Sequence, residues 1–525
     1  VELSVHWVVF VFFLVATTAL GVYGLHMYVL LFLFRRRSKK KRAHQRAVIQ
    51  RYWREVPEDS WPRVTTQLPV FNEADVAVRV IESVAAMDYP TDKHEIQVLD
   101  DSDDHTCGLV DRTVERLAKQ GVNIRVVRRP TREGYKAGAL VHGLNTACGE
   151  YVAIFDADFT PTKEFLRRAI PLLENAPQLA CLQGRWDHLN RKESLLTEAQ
   201  ALGIDGHFAI EQGARAWNDL MMNFNGTAGV WRRAAIDDAK VGGWNGDTLT
   251  EDLDLSYRAQ LAGWRLDYCL DLPAPAELPG TIGALKSQQR RWATGSIQVA
   301  KKLLPRIWRS KVSLGEKLEA TLHLTHYTVS VYMLILAIVA RPMLLVYADG
   351  RVFGQWFWPA WIIILLAAVA PSLTYAYARY SLGGRWSGLK TIPCMIILGC
   401  GLCVNNALAV FRGLYLVGGE FVRTPKSGSQ QRVRRASSYR AMQNHLWIIE
   451  LLLGVYSAIC FVVYFQSEHQ AFSFFLLFYA IGFTVVGWYS LRETIRKASS
   501  TTPRTKDSSV LPAHVPPVGS SSGGR

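Results

Sequence analysis

Hydrophobic and polar positions divide the 525-residue chain into two regimes. Near the ends apolar residues run on continuously, and in the middle they alternate with polar ones. Residues 6–34 contain no Asp, Glu, Lys or Arg, and a bilayer crossing needs about 20 predominantly apolar residues. A basic block, RRRSKKKR, follows at 35–42. A signal peptide carries its basic residues before the apolar core, so the order here predicts a retained membrane helix with a basic flank over 1–42. Apolar runs return at 320–348, 355–378, 391–417, 445–466 and 470–491.

The region 43–280 reads differently. Short runs rich in β-branched residues, VTTQLPVF, EIQVLDD, NIRVVRR and YVAIFDAD, alternate with helical patterns such as ADVAVRVIESVAAM and CGLVDRTVERLAKQG. Strands that alternate with helices predict a mostly parallel α/β sheet. The expected architecture is therefore an α/β domain inserted between α-helical transmembrane segments. Ligands in such sheets bind beyond the carboxyl ends of the strands, which is where acidic residues gather here.

Charge refines the membrane picture. The formal net charge is +15, but the basic residues cluster at 35–42, 286–311 and 423–440, beside apolar runs. That is the distribution of cytoplasmic membrane flanks, and it argues against nucleic acid as a partner. It predicts a cytosolic α/β domain and a cytosolic 423–440 loop. With both on one side, the 391–417 run, which holds Asn405, Asn406 and Arg412, reads as an interfacial or re-entrant helix, leaving five spans. Residues 281–317 form the transition into a membrane region at 318–498, and the Ser/Thr/Pro/Gly-rich stretch 499–525 is expected to be disordered. Of eight cysteines, only Cys400 and Cys403 stand two residues apart, inside an apolar run and with no second pair. Packing, rather than zinc or a disulfide framework, is the expectation.

Three acidic clusters carry the chemistry. Asp100 and Asp101 follow one strand, with Asp103 and Asp104 beyond. Asp156 and Asp158 follow another, and Glu251, Asp252 and Asp254 come later. A D-x-D pair in extended chain points both carboxylates to one side and suits a divalent cation that bridges phosphate oxygens. One such pair alone is more often a loop or cap feature, but three clusters point to a shared anionic site. Lys136 lies between Gly134 and Gly138 ahead of a helix, an arrangement that lets backbone and ammonium approach a phosphate. SQQRRW (287–292) stands before the membrane region. Its Arg and Trp suit an interfacial anchor, whereas Arg can also grip a diphosphate and Trp can offer a flat face to a sugar.

The order LDDSDD, GYKAGAL, DAD, FNGTAGVWRR, TEDLDLSYR and QQRRW resembles the processive family-two glycosyltransferases, the cellulose synthase and hyaluronan synthase type, and most closely the cellulose-synthase-like mannan and glucan synthases. The motifs span about residues 60–310. The resemblance implies a nucleotide-sugar transferase fold and a polymer that leaves through the membrane helices. It implies that Pro69, Glu73, Asp100 and Asp101 hold the nucleoside and that Lys136 contacts the diphosphate. Asp156 and Asp158 would bind Mg2+ or Mn2+. Phe224, Asn225, Gly226, Thr227 and Glu251 would lie at the acceptor, and Asp252 would be the general base. Gln288 and Arg291 would stabilise the donor, and Trp292 would stack on the acceptor sugar. Gln289 and Arg290 are left for the domain surface or the headgroups. EFVRTPK, at 420–426 within 418–440, resembles a gating loop with Phe421, Thr424 and Lys426, although Arg423 and Pro425 depart from the usual pattern. The partners implied are a UDP- or GDP-linked sugar, a growing β-glycan and membrane lipids. A non-processive enzyme acting on a membrane lipid is the alternative.

Overall fold

The computed structural model describes residues 2–349, 357–384, 386–418, 445–467 and 470–501. The gating-like residues Phe421, Thr424 and Lys426 and the tail beyond 501 lie outside them. The expected sheet is present, with seven strands: β1 (Val64–Val70), β2 (His94–Asp100), β3 (Ile124–Val127), β4 (Tyr151–Ile154), β5 (Leu179–His188), β6 (Gly229–Arg232) and β7 (Arg265–Ala276), in the order β3-β2-β1-β4-β6-β5-β7. The first four run parallel, β6 is antiparallel to both neighbours, and β7 is parallel to β5. Pro69 sits in central strand β1, but β4 pairs with β1 only through Gln67. The proline therefore falls where no ladder bond on that side requires its missing N–H.

Strand alternation supplies a hydrophobic face on each side of the sheet. Leu68, Val70, Ile96 and Val98 pack with Val80, Val110 and Phe165 from three covering helices. Leu99, Val152 and Ile154 face the other way, toward Leu140, Phe208, Phe224 and Trp231. Asp100, Asp101, Asp156 and Asp158 thus project from the ends of strands clamped on both faces.

A single helix, Glu2–Glu55, carries the first apolar run and continues through the basic block onto the sheet. Arg42 and Arg46 both grip Asp271, at 2.6 and 2.7 Å, and Gln45 donates to the Tyr268 carbonyl at 2.9 Å. Part of the basic flank is therefore spent on docking to β7. Among the described residues, six helices are long and apolar enough to cross a membrane, one more than the five spans expected. The extra one is Leu389–Tyr415. Charge balance alone had set it aside, yet its length and hydropathy admit a crossing. It is also the most enclosed of the six, with 61% of its most apolar window buried. It packs along the helix Ile282–Arg309 that carries QQRRW. All eight cysteines are free, Cys400 and Cys403 being buried in the apolar packing.

Candidate active site

One cavity opens at the carboxyl ends of β1, β2 and β4. It is lined by Pro69, Glu73, Asp101, Lys136, Asp156, Asp158, Asn225, Gly226, Glu251, Asp252, Gln288, Arg291 and Trp292. Residues spread over more than 200 positions of sequence converge there from the carboxyl-end edge of the sheet, from Asn225 and Gly226 ahead of β6, and from the helices Tyr135–Leu144, Glu251–Leu261 and Ile282–Arg309.

Lys136 is placed by the glycines around it. Gly134, at φ +67°, takes the left-handed conformation before the helix Tyr135–Leu144, and a Cβ on Gly138 would come within 2.0 Å of the Glu133 carbonyl oxygen. The Lys136 ammonium donates to Asp156 at 2.5 Å and to the Gly226 carbonyl at 2.7 Å, and lies 4.0 Å from Glu251. Burial favours its neutral form, but Asp156 and Glu251 outweigh that and hold its pKa above the ordinary lysine value. Burial raises Asp156, against the pull of Lys136. The Asp156 N–H donates to the Thr227 hydroxyl at 2.9 Å, which fixes the D-x-D turn.

Asp252 is in the first turn of the helix Glu251–Leu261 and accepts the Leu253 N–H at 2.8 Å. Burial and then the neighbouring Glu251 charge push its pKa up to about 7. Glu251 is also raised, chiefly by burial. Gly226, at φ +79°, lies against Asp252. A Cβ there would sit 2.8 Å from Asp252 Oδ2, so only glycine keeps the space before the carboxylate open. A half-buried carboxylate with its pKa raised toward neutrality suits proton abstraction.

Gln288, Arg291 and Trp292 face the cavity from one side of the helix Ile282–Arg309, and the other side is tied to the membrane helices. The Lys286 ammonium pairs with Glu450 at 2.6 Å, both buried. Arg290 donates to Asn405 at 2.9 Å, Asn405 donates to the Lys286 carbonyl at 3.0 Å, and Glu493 accepts the N–H groups of Ile282 and Gly283 at 3.0 Å each. Arg290 is thus no headgroup anchor, because Asn405 engages it inside the molecule. Gln289, too, has a partner within the protein. It is half-buried and accepts from the Tyr327 hydroxyl at 3.4 Å.

Three of the expected residues stand off the cavity. Asp100 is buried, with its carboxylate taken up by Arg128 at 2.7 and 3.0 Å. Phe224 is a core side chain packed edge-on against Trp231 at 5.7 Å. Thr227 is buried and acts through the Asp156 backbone. Sequence reading also missed Phe71, Arg132, Trp186, Asp187, His188 and Glu277, which line the cavity. The end of β5, GRWDH, carried the same signal of polar residues at a strand's carboxyl end. Among the described residues, no group of three or more His, Cys, Asp or Glu is arranged to hold a metal. Two hard carboxylates, Asp156 and Asp158, fit a cation that takes its remaining ligands from substrate phosphates and water.

A mostly parallel sheet with a D-x-D pair, a half-buried lysine of the phosphate-binding kind and a carboxylate raised toward neutrality fits transfer from a phosphate-activated donor. The model of the family described as "Glycosyltransferase like family 2" matches residues 62–295. Glucomannan 4-beta-mannosyltransferase 7 of Arabidopsis thaliana is 33% identical, covering 82% of this chain and 77% of that protein. Glucomannan 4-beta-mannosyltransferase 1 of Oryza sativa subsp. japonica is also 33% identical, over 82% and 83%. A solved mannosyltransferase from Pyrobaculum calidifontis, in complex with GDP-Man and Mn2+, aligns at 20% identity with a TM-score of 0.46, over 75% of this chain and 99% of that one. The chain belongs to the family-two glycosyltransferases, in the cellulose-synthase-like family that includes these glucomannan mannosyltransferases.

Proposed function

We propose that this protein is an inverting, processive β-1,4-mannosyltransferase that uses GDP-mannose and passes its product into the membrane region. The carrying observation is the placement of Asp252, a half-buried carboxylate whose pKa is pushed up to about 7, in one cavity with Lys136, the D-x-D pair and Trp292. The mannosyl choice rests on the names of relatives matched over more than three quarters of their length.

In the proposed reaction, the 4-hydroxyl of the chain end attacks C1 of the α-linked mannosyl donor. Asp252 takes the hydroxyl proton, the new C1–O bond forms, and the old bond breaks with its electron pair leaving on GDP. A single displacement inverts C1 and gives a β-linkage. Lys136 and Arg291 stabilise charge on the departing diphosphate through preorganised electrostatics. Asp156 and Asp158 would hold Mg2+ or Mn2+, which when bound supplies further charge neutralisation at the diphosphate. Trp292 presents a ring face to the acceptor sugar.

The deciding experiment supplies purified, membrane-reconstituted protein with GDP-mannose or UDP-glucose and digests the product with linkage-specific glycanases. A β-1,4-mannanase-sensitive polymer made from GDP-mannose is expected. A single labelled glycolipid, or polymer from UDP-glucose alone, overturns the reading. Asp252→Asn should lose activity roughly 10²- to 10⁴-fold while GDP-mannose affinity stays within severalfold, and full turnover would remove Asp252 from its role.

A further inference from the structure

The helix Ile282–Arg309 runs on past the cavity, and one stripe of it holds the segment that leads to the base. Arg291, Gly295, Gln298 and Lys302 recur every three or four residues and so share a face. Arg291 lines the cavity. Gly295 lies against Thr250, where a Cβ would come within 2.5 Å of the Thr250 methyl group. Gln298 accepts the Leu249 N–H at 2.9 Å and donates to the Gly418 carbonyl at 2.7 Å. The Lys302 ammonium lies 2.8 Å from Asp247 and 2.9 Å from Asp254.

The segment so gripped, 237–250, is irregular chain that leads straight into the helix Glu251–Leu261 and Asp252. Irregular connections are more mobile than the elements they join, so the course of this one depends on the ties it makes. Arg258, further along the same helix, pairs with Asp254 at 2.7 Å and donates to the carbonyls of Val241 and, at 2.9 Å, Gly243. Gly246 packs on the turn before Lys136, where its Cβ would lie 3.2 Å from the Gly134 Cα. Arg258 therefore secures the start of the segment, Lys302 its middle and Gln298 its end. The Asp254 side chain is fully buried, whereas that of Lys302 keeps 26% of its surface exposed. A part-exposed pair of this kind adds little to stability, and Arg258 still meets Asp254 when Lys302 is removed. Its geometry matters more, because a misplacement of about 1 Å at the reacting groups can cost about 10²-fold in rate.

We propose that Lys302 is a positioning residue for the transfer reaction: by bridging Asp247 and Asp254 it locks the segment ahead of the base and holds Asp252 where the attacking hydroxyl arrives. It touches neither substrate, and it acts through the two carboxylates on either side of Asp252. The other face of its helix is tied to Glu450 and Asn405. One helix therefore registers the base against the membrane helices, with Gln298 closing the end of the segment nearest to Asp252.

The kinetic consequence rests on the reading that Asp252 is the base of a GDP-mannose-dependent transferase; the clamp itself does not. The test reconstitutes the full chain as wild type, Lys302→Met, Lys302→Arg and Asp247→Asn. Hydrogen exchange without substrate should run roughly tenfold faster over 245–254 in Lys302→Met, with the helix Tyr135–Leu144 unchanged. With GDP-mannose, kcat of Lys302→Met should fall roughly tenfold or more, while donor KM stays within about threefold and Lys302→Arg recovers most of the rate. Unchanged exchange overturns the clamp. Unchanged kcat, or a KM that rises as much as kcat falls, overturns the positioning role. If the wild type releases no GDP from GDP-mannose, the functional reading fails, and exchange still decides the clamp. Asp247→Asn breaks the bridge from its half-exposed side, leaves the buried Asp254 paired, and gives the same readings if Lys302→Met does not fold.

Discussion

At the scale of single residues, Asp252 combines reactivity with a folding cost. Its pKa is raised from the ordinary aspartate value to about 7, first by burial and then by Glu251. A raised carboxylate pKa means that the unfolded chain ionises more readily than the folded one. The penalty is absent below about pH 4, grows as pH rises through this window and is complete above about pH 7. Asp252→Asn should therefore melt higher than wild type at pH 8 but not at pH 4, as scanning fluorimetry of the reconstituted protein can measure. The same ionisation sets the rate: kcat/KM of the wild type should fall about tenfold per pH unit below roughly pH 7, and a flat profile from pH 5.5 to 8 would contradict the base assignment. Gly226→Ala tests the space in front of the carboxylate. Its Cβ would lie 2.8 Å from Asp252 Oδ2 on a backbone at φ +79°, so activity should drop at least tenfold while Lys136 and Asp156 remain intact.

At the scale of elements, the helix Ile282–Arg309 has two working faces. One presents Gln288, Arg291 and Trp292 to the cavity, and the other is held by Glu450, Asn405 and Glu493 of three membrane-type helices. A buried ion pair contributes little net stability but is expensive to break on one side. Lys286→Met alone should thus destabilise by about 3–5 kcal/mol. The double variant Lys286→Met with Glu450→Met should recover most of that loss. Thermal melting of the two side by side gives the comparison, and equal loss in both would mean that the pair matters through packing alone. The helix also touches the base-bearing segment closely. A Cβ on Gly295 would lie 2.5 Å from Thr250 Cγ2, the residue that precedes Glu251 and Asp252.

For the whole molecule, these ties make the catalytic domain and membrane helices one unit. The α/β region contributes Lys136 and the acidic residues of the cavity. The wall with Gln288, Arg291 and Trp292 depends on a helix whose basic face needs carboxylate and amide partners from 392–501. A fragment ending near residue 310 leaves Lys286 and Arg290 unpaired. It should aggregate or release no GDP from GDP-mannose, whereas the full chain does; a soluble, active fragment would show that the membrane helices serve translocation only.

The sequence determined the sheet, because alternating strand and helix patterns need no distant information, and it determined the membrane helices, because continuous apolar runs have few other fates. It also marked Lys136, Asp156, Asp158, Asp252, Gln288, Arg291 and Trp292, all of which line one cavity, since residues just past strand ends must gather at one edge of a parallel sheet. Which of two adjacent acids faces the cavity was not legible. Asp100 and Asp101 look alike in the chain; Arg128 and Arg129, 28 residues away on the neighbouring strand's end, take up one carboxylate each, and of the two acids only Asp101 lines the cavity. SQQRRW was likewise ambiguous. Packing against a helix more than 100 residues later turns Arg290 inward, Tyr327 meets Gln289 from 38 residues on, and Gln288, Arg291 and Trp292 are left facing the cavity. Local pattern fixes an element and its apolar and polar faces; the partner each face meets depends on contacts between residues far apart in the chain, and those exist only in the folded molecule.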